Sequence, residues 1–149
     1  MDRYVDAMLA HDPSKIPVSK DFKFTENGQR LTLPDGLWNT ITGKGAYRLF
    51  VDDVEAQSVG FFGSLQENGQ GIMVGIRLKI RDKQITEAEQ FIQRSPSSAA
   101  GFERIGYKWA EPIPAGERLT REQLIETANK YFTGMASSDG KGRLFVFRR

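Results

Sequence analysis

Residues 85–91 read Ile-Thr-Glu-Ala-Glu-Gln-Phe, and in an extended chain Ile85, Glu87, Glu89 and Phe91 fall on one side. The same alternation runs through Phe22, Phe24 and Glu26, and through Tyr47, Leu49, Val51 and Asp53. A carboxylate aimed at an apolar interior is costly unless it is paired, hydrogen-bonded or protonated. Acids delivered by several strands to one interior therefore point to a polar-tipped cavity. The plainer reading at each position is a strand-end acid in water, or a bulge that reverses the alternation. Glu26 is the first candidate for a catalytic carboxylate, with Asn27 beside it to supply an amide; the alternative is a turn residue bonded to the Asn27-Gly28 backbone. Glu89 is second, lying mid-strand between apolar neighbours, whereas Glu87 is nearer the turn. Burial beside apolar rings raises a carboxyl pKa, and two nearby carboxyls push each other apart, so one can serve as base while the other donates. Asp53 stands next to Asp52 at a turn and is a weaker, binding candidate.

His11 is the only histidine, so any Ser-His-Asp arrangement must use it and a three-histidine metal site is excluded. At a helix C-terminus it favours its protonated form; it is either a general acid or base, an anchor for a substrate oxygen, or a surface helix end. Tyr47 is placed to donate to a developing oxyanion. Trp38, Phe24 and Phe61 make an apolar wall suited to a ring-bearing ligand, or an ordinary core. The chain has no cysteine, which excludes disulfides, thiolate catalysis and cysteine zinc sites. The Thr42-Gly43-Lys44-Gly45 piece lacks the spacing of a phosphate-binding loop. No metal and no cofactor is expected.

The elements that would position these side chains follow from periodicity and turn chemistry. Residues 2–10 carry Val5, Met8 and Leu9 at helical spacing, with Tyr4 at the edge of the stripe, and Asp12-Pro13 ends the helix. Residues 22–26 form a short strand closed by Asn27-Gly28. Residues 31–42 are irregular, with one helical turn at Leu37-Trp38. Strands follow at 47–53, 58–66, 71–81 and 85–94; their connections are too short for parallel crossovers and make an antiparallel meander. Residues 95–118 read as an extended linker. Thr120 and Gln123 form a capping box, with Leu119 and Leu124 as a hydrophobic staple, and Leu124, Ala128, Tyr131, Phe132 and Met135 line one face of a last helix. At an offset of 127, Tyr4, Met8 and Asp12 meet Tyr131, Met135 and Asp139, so residues 119–149 read as a helix and tail, either the start of a truncated second repeat or a chance match between two amphipathic helices.

At 149 residues the chain is most simply one domain, long enough to bury about two-thirds of its unfolded surface. No apolar run of about 18 residues exists to span a membrane. The net charge of +2 is too small to argue for nucleic acid, and the Arg77, Lys79 and Arg81 stripe has no interleaved aromatics for stacking.

The order helix, short strand, irregular segment and four long strands resembles the nuclear transport factor 2-like superfamily, which includes ketosteroid isomerase, small polyketide cyclases and limonene epoxide hydrolase. His11-Asp12-Pro13, residues 24–29, Gly36-Leu37-Trp38 and residues 59–63 look like an uncharacterised branch whose members often carry two related units. The resemblance covers residues 2–94. It implies an α+β fold: a curved antiparallel sheet wrapped around the N-terminal helix as a cone-like, cystatin-type barrel, here with an extra C-terminal helix. The family's second helix is absent or shrunken, and no Asp-Arg-Asp arrangement of the epoxide hydrolase kind is recognisable. Such a fold hosts isomerases, cyclases, hydrolases, lyases and binders. The expectation is a cytoplasmic, homodimeric or larger, cofactor-independent lyase or isomerase acting by proton transfer on an apolar aromatic or polycyclic small molecule. The alternative is a non-catalytic binding or assembly module.

Overall fold

The computed structural model describes residues 1–105 and 111–136. The chain divides into two compact units, Met1–Glu111 and Pro112–Arg149.

In the first unit, helix α1 (Asp2–Leu9) carries Asp2 in its first turn, where an acid suits the positive end of the helix dipole. It buries Tyr4, Val5, Ala7 and Met8. His11 leaves the helix at φ 51°, and Asp12 caps the next turn, Pro13–Lys15, by accepting from the Ser14 amide at 3.0 Å. Strands β1 (Val18–Glu26) and β2 (Gln29–Leu31) join through Asn27-Gly28, whose φ values of 47° and 79° make the two-residue turn that matches strand twist. Helix α2 (Leu37–Thr40) is a single turn that sinks Leu37 and Trp38 into the core.

The meander then runs through β3 (Ile41–Asp53), β4 (Ser58–Glu67), β5 (Gln70–Arg81) and β6 (Gln84–Gln93). Asn68-Gly69 and Asp82-Lys83, all at positive φ, close its two tight hairpins. Strand order is β2-β1-β6-β5-β4-β3 in one curved sheet that does not close. The sheet is mixed rather than wholly antiparallel, because β1 lies parallel to β6. The short loops dictate antiparallel neighbours only within the meander; β1 reaches β6 through the entire intervening chain.

One face of the sheet, with α1 and α2, buries Tyr4, Met8, Phe24, Trp38, Phe61, Leu65, Ile76 and their neighbours. Residues 96–105 form helix α3 (Pro96–Ile105), not an extended linker. Ser95 accepts from the Ser98 amide at 3.4 Å and Pro96 stands at the first helical position, where its missing N–H costs nothing. α3 packs on β3, β4 and β5, and Ala99 and Phe102 cover Tyr47 and Met73 in a second, smaller cluster. The compact unit accordingly extends to Glu111 rather than ending at residue 94.

In the second unit, a turn at Ala115–Glu117 precedes α4 (Arg121–Ala136). The capping box is formed: Gln123 N–H donates to the Thr120 hydroxyl at 3.3 Å, and Thr120 N–H to the Gln123 side chain at 2.8 Å. Leu124, Ile125, Tyr131, Phe132 and Met135 are exposed. Asp139, which the offset comparison sets against Asp12, lies outside the described residues. No described helix is long and apolar enough to cross a membrane.

Candidate functional site

Three strand ends deliver charge to one place. Glu26 is the last residue of β1 and continues the inward row of Phe24. Glu67 ends β4 in the inward row of Phe61 and Leu65, and Arg94 follows β6 in that of Gln90 and Ile92. The Glu26 and Glu67 side chains are only 10% and 9% exposed, while that of Arg94 is half exposed. Arg94 grips Glu67 with two bonds, Nε to Oε2 at 2.6 Å and Nη2 to Oε1 at 2.9 Å. Its Nη2 also reaches Glu26 Oε1, at a longer 3.5 Å. The Thr40 hydroxyl donates to Glu67 Oε1 at 2.6 Å, and the Leu37 amide to Glu26 Oε2 at 2.8 Å. The Arg94 hydrogen bonds hold the Glu67 carboxyl below its ordinary range against the opposing effect of burial, with Thr40 adding to the shift. Glu67 in turn raises the Arg94 pKa.

Gly36 makes room for this arrangement. A Cβ there would lie 2.3 Å from Glu26 Oε2, and its φ of 67° is one that side chains disfavour.

Beside the cluster lies a fully buried polar group. Gln90 faces Glu26 in the β1–β6 register and is 0% exposed. Its Nε2 donates to the Tyr4 hydroxyl at 2.9 Å, and Trp38 Nε1 donates to the same oxygen at 3.2 Å. Burial pushes the Tyr4 phenol well above its ordinary pKa, so it stays protonated. The Tyr4 and Trp38 rings meet edge to face at 5.3 Å.

The remaining sequence candidates scatter. His11 is exposed and its Nδ1–H donates to the Trp38 carbonyl at 2.5 Å. Phe24, Trp38 and Phe61 are buried in the main core. Asn27 spends both ends of its amide on the Ile92 backbone, at 3.2 and 2.7 Å, and so ties the β1–β2 turn to β6. Tyr47 is buried on the opposite sheet face, against Phe62 and Phe102, rather than beside Glu26. Asp53 accepts from the Ala56 amide at 3.0 Å in the β3–β4 turn, and lines a shallow groove of about 350 Å³ with Asp52, Gln57 and Lys83.

Glu89 departs furthest from expectation. The β5–β6 register shifts between Lys79 and Ile80, leaving Thr86 as an extra residue. The shift reverses the alternation, so Ala88, Gln90 and Ile92 point inward while Glu87 and Glu89 point out. Arg77 pairs with both acids at 3.1 Å, and Lys79 with Glu87 at 3.3 Å.

Among the described residues no group of three His, Cys, Asp or Glu side chains is arranged to hold a metal. The residues that sequence reasoning missed are Glu67, Arg94, Gln90 and Thr40. Inward parity with Phe61 and Leu65 marks Glu67, but only if β4 is run one residue further. Arg94 becomes visible once the bulge in β6 is known.

The architecture is of the α+β class, a curved, unclosed mixed sheet of six strands packed against α1 and α2. No protein-family model and no curated protein matches it. Solved structures similar to it include an NTF2-like protein of unknown function from Cytophaga hutchinsonii (TM-score 0.49, 10% identity, covering 64% of this chain and 87% of that one). Others are an NTF2-like protein of unknown function from Burkholderia xenovorans (0.47, 13%, 76% and 91%) and an LEH-like epoxide hydrolase from M. tuberculosis (0.44, 12%, 70% and 86%).

Proposed function

We propose that the chain is a cofactor-independent acid–base catalyst, an isomerase or lyase, acting on an apolar, ring-bearing small molecule at the Glu26–Arg94–Glu67 cluster. One observation carries this reading: two carboxylates from separate strands are buried at the edge of an apolar core and share one half-exposed arginine. The two acids are held differently. Glu67 takes the short bidentate grip, is kept ionised and fixes the guanidinium. Glu26 anchors one oxygen on the Leu37 amide and, among the described residues, leaves Oε1 with only the long contact to Arg94, so Oε1 is the proton acceptor. Arg94 then neutralises charge left on the substrate oxygen. The His11–Trp38 bond braces the wall behind Glu26 and is a positioning contact in this scheme.

A general base contributes about 10²–10⁴-fold. Turnover found in a screen of aromatic and terpenoid compounds should fall by that factor in Glu26→Gln, with folding intact and with the Glu89→Gln control unaffected. Unchanged turnover in Glu26→Gln removes Glu26 from the chemistry. Solvent oxygen appearing in the product would turn the reading from isomerase or lyase to hydrolase.

A second reading, a non-catalytic binding or self-assembling module, is favoured by a different observation. Each oxygen of both acids has a backbone, hydroxyl or guanidinium donor, as in a structural latch, and α4 exposes a large apolar face. It expects ligands that raise Tm without turnover, and a fall in solution mass when Tyr131 and Phe132 are both changed to Asp.

A further inference from the structure

Gln90 and Tyr4 leave two hydrogen-bonding valences unmet in the interior. Among the described residues Gln90 Oε1 has no partner, although the residue is wholly buried. The Tyr4 oxygen accepts from both Trp38 Nε1 and Gln90 Nε2, and among the described residues no acceptor takes the phenol's own hydrogen. Turning the Gln90 amide over would let Tyr4 donate to Oε1, but would leave Nε2 as the unmet group instead. In either orientation the pair cannot satisfy itself. A buried amide atom without a partner costs about 1–3 kcal/mol, so a fold that keeps one has a reason outside its own side chains. Met8 does not supply it, since its sulfur, 3.5 Å from Nε2, is a weak acceptor on the amide's other end.

We infer that Gln90 and Tyr4 form a recognition subsite for a hydroxyl group on the substrate, which accepts from the Tyr4 phenol and donates to Gln90 Oε1. Only a group that both donates and accepts at one atom meets both needs. A carbonyl or ether takes the phenol hydrogen but leaves Oε1 unmet, and a hydrocarbon meets neither. Gln90 pairs with Glu26 across the β1–β6 ladder, where adjacent strands lie about 4.8 Å apart. The hydroxyl is therefore held close to the carbon from which Glu26 takes a proton. The inference rests on reading Glu26 as the site's base and narrows its substrate class to hydroxylated apolar rings, such as phenols or alicyclic alcohols.

Phenol and toluene, equal in size and differing in hydroxyl against methyl, test this without any turnover. Binding is followed by NMR at the Trp38 indole N–H, which is bonded to Tyr4, with Trp109→Phe separating the two indole signals. The wild type should prefer phenol about tenfold, the worth of two net hydrogen bonds against the greater hydrophobicity of toluene. Gln90→Met, an apolar replacement of equal length, and Tyr4→Phe should each bring the ratio to one or below, while Glu89→Gln on the outer face keeps it. Gln90→Met should also raise Tm, because it removes the unmet acceptor. Equal affinity for the two probes, no binding of either, or a ratio that survives in both variants overturns the subsite. So does a high-resolution structure in which a fixed water bridges Gln90 and Tyr4 and phenol fails to displace it. Because Glu26-dependent turnover is measured separately, the subsite can fail while the base assignment stands, and the reverse.

Discussion

Two arginines in this fold each hold two glutamates, and the settings differ. Arg77 lies on the outer sheet face across from Glu87 and Glu89, alternate residues of one strand whose side chains are 27% and 35% exposed. Arg94 joins Glu26 and Glu67, which come from different strands and are about 90% buried. The outer set can be built or lost within one hairpin. The inner set exists only when β1, β4 and the end of β6 are all in place, so it reports the tertiary fold. Identical chemistry thus carries different consequences: outside, water screens the charges; inside, each acid depends on its partners.

The largest expected effect is at Arg94. Arg94→Met leaves two buried carboxylates without their cation, and breaking a buried pair costs about 3–5 kcal/mol. The half-exposed guanidinium lowers that expectation to about 2–3 kcal/mol in a urea titration. Arg77→Met should cost under about 1 kcal/mol. Equal losses at the two sites would erase the distinction.

Much of this contrast was legible in the sequence, but not all of it. The Phe22, Phe24, Glu26 alternation, the Asn-Gly and Asp-Lys turns and the capping box of α4 are local features and carry their own physical signal. The inward course of β6 is not local: the register shift opposite Lys79 and Ile80 is set by pairing with β5, and one extra residue exchanges the faces of every position after it. Reading straight through it put Glu89 inside and hid Gln90 and Arg94. Helix α3 has its local signals, Ser95 before Pro96, but residues 95–118 as a whole read as an extended linker. Tyr47 follows strand parity correctly with Leu49; what the linear order does not reveal is that this face is covered by α3 rather than by α1.

A smaller effect sharpens the account of how Glu26 is seated. Gly36→Ala places a methyl against Glu26 Oε2 in a left-handed backbone conformation, at a cost of about 1–3 kcal/mol. Part of that is steric and part conformational. In a Glu26→Ala background the steric part disappears, so the double-mutant cycle should show coupling of about 0.5 kcal/mol or more. Additive losses would mean that backbone strain alone explains Gly36.

The smallest effects separate the two clusters by pH and salt. Arg94 lowers the Glu67 pKa from 4.5, and Arg77, aided by Lys79, lowers that of Glu87 from the same value. A carboxyl whose folded pKa is depressed adds stability above its unfolded pKa and loses it as pH falls through the folded value. Both arginine variants should therefore differ from wild type most at neutral pH, with the differences narrowing below about pH 4.5. Salt is the finer probe. At 1 M the screening length is about 3 Å, which suffices to damp exposed pairs but reaches buried ones far less. The small Arg77→Met penalty at pH 7 should vanish in 1 M NaCl, while most of the Arg94→Met penalty remains. A penalty at Arg94 that salt removes equally would show that water reaches the inner acids as freely as the outer ones, and would undercut Glu26 as a desolvated base.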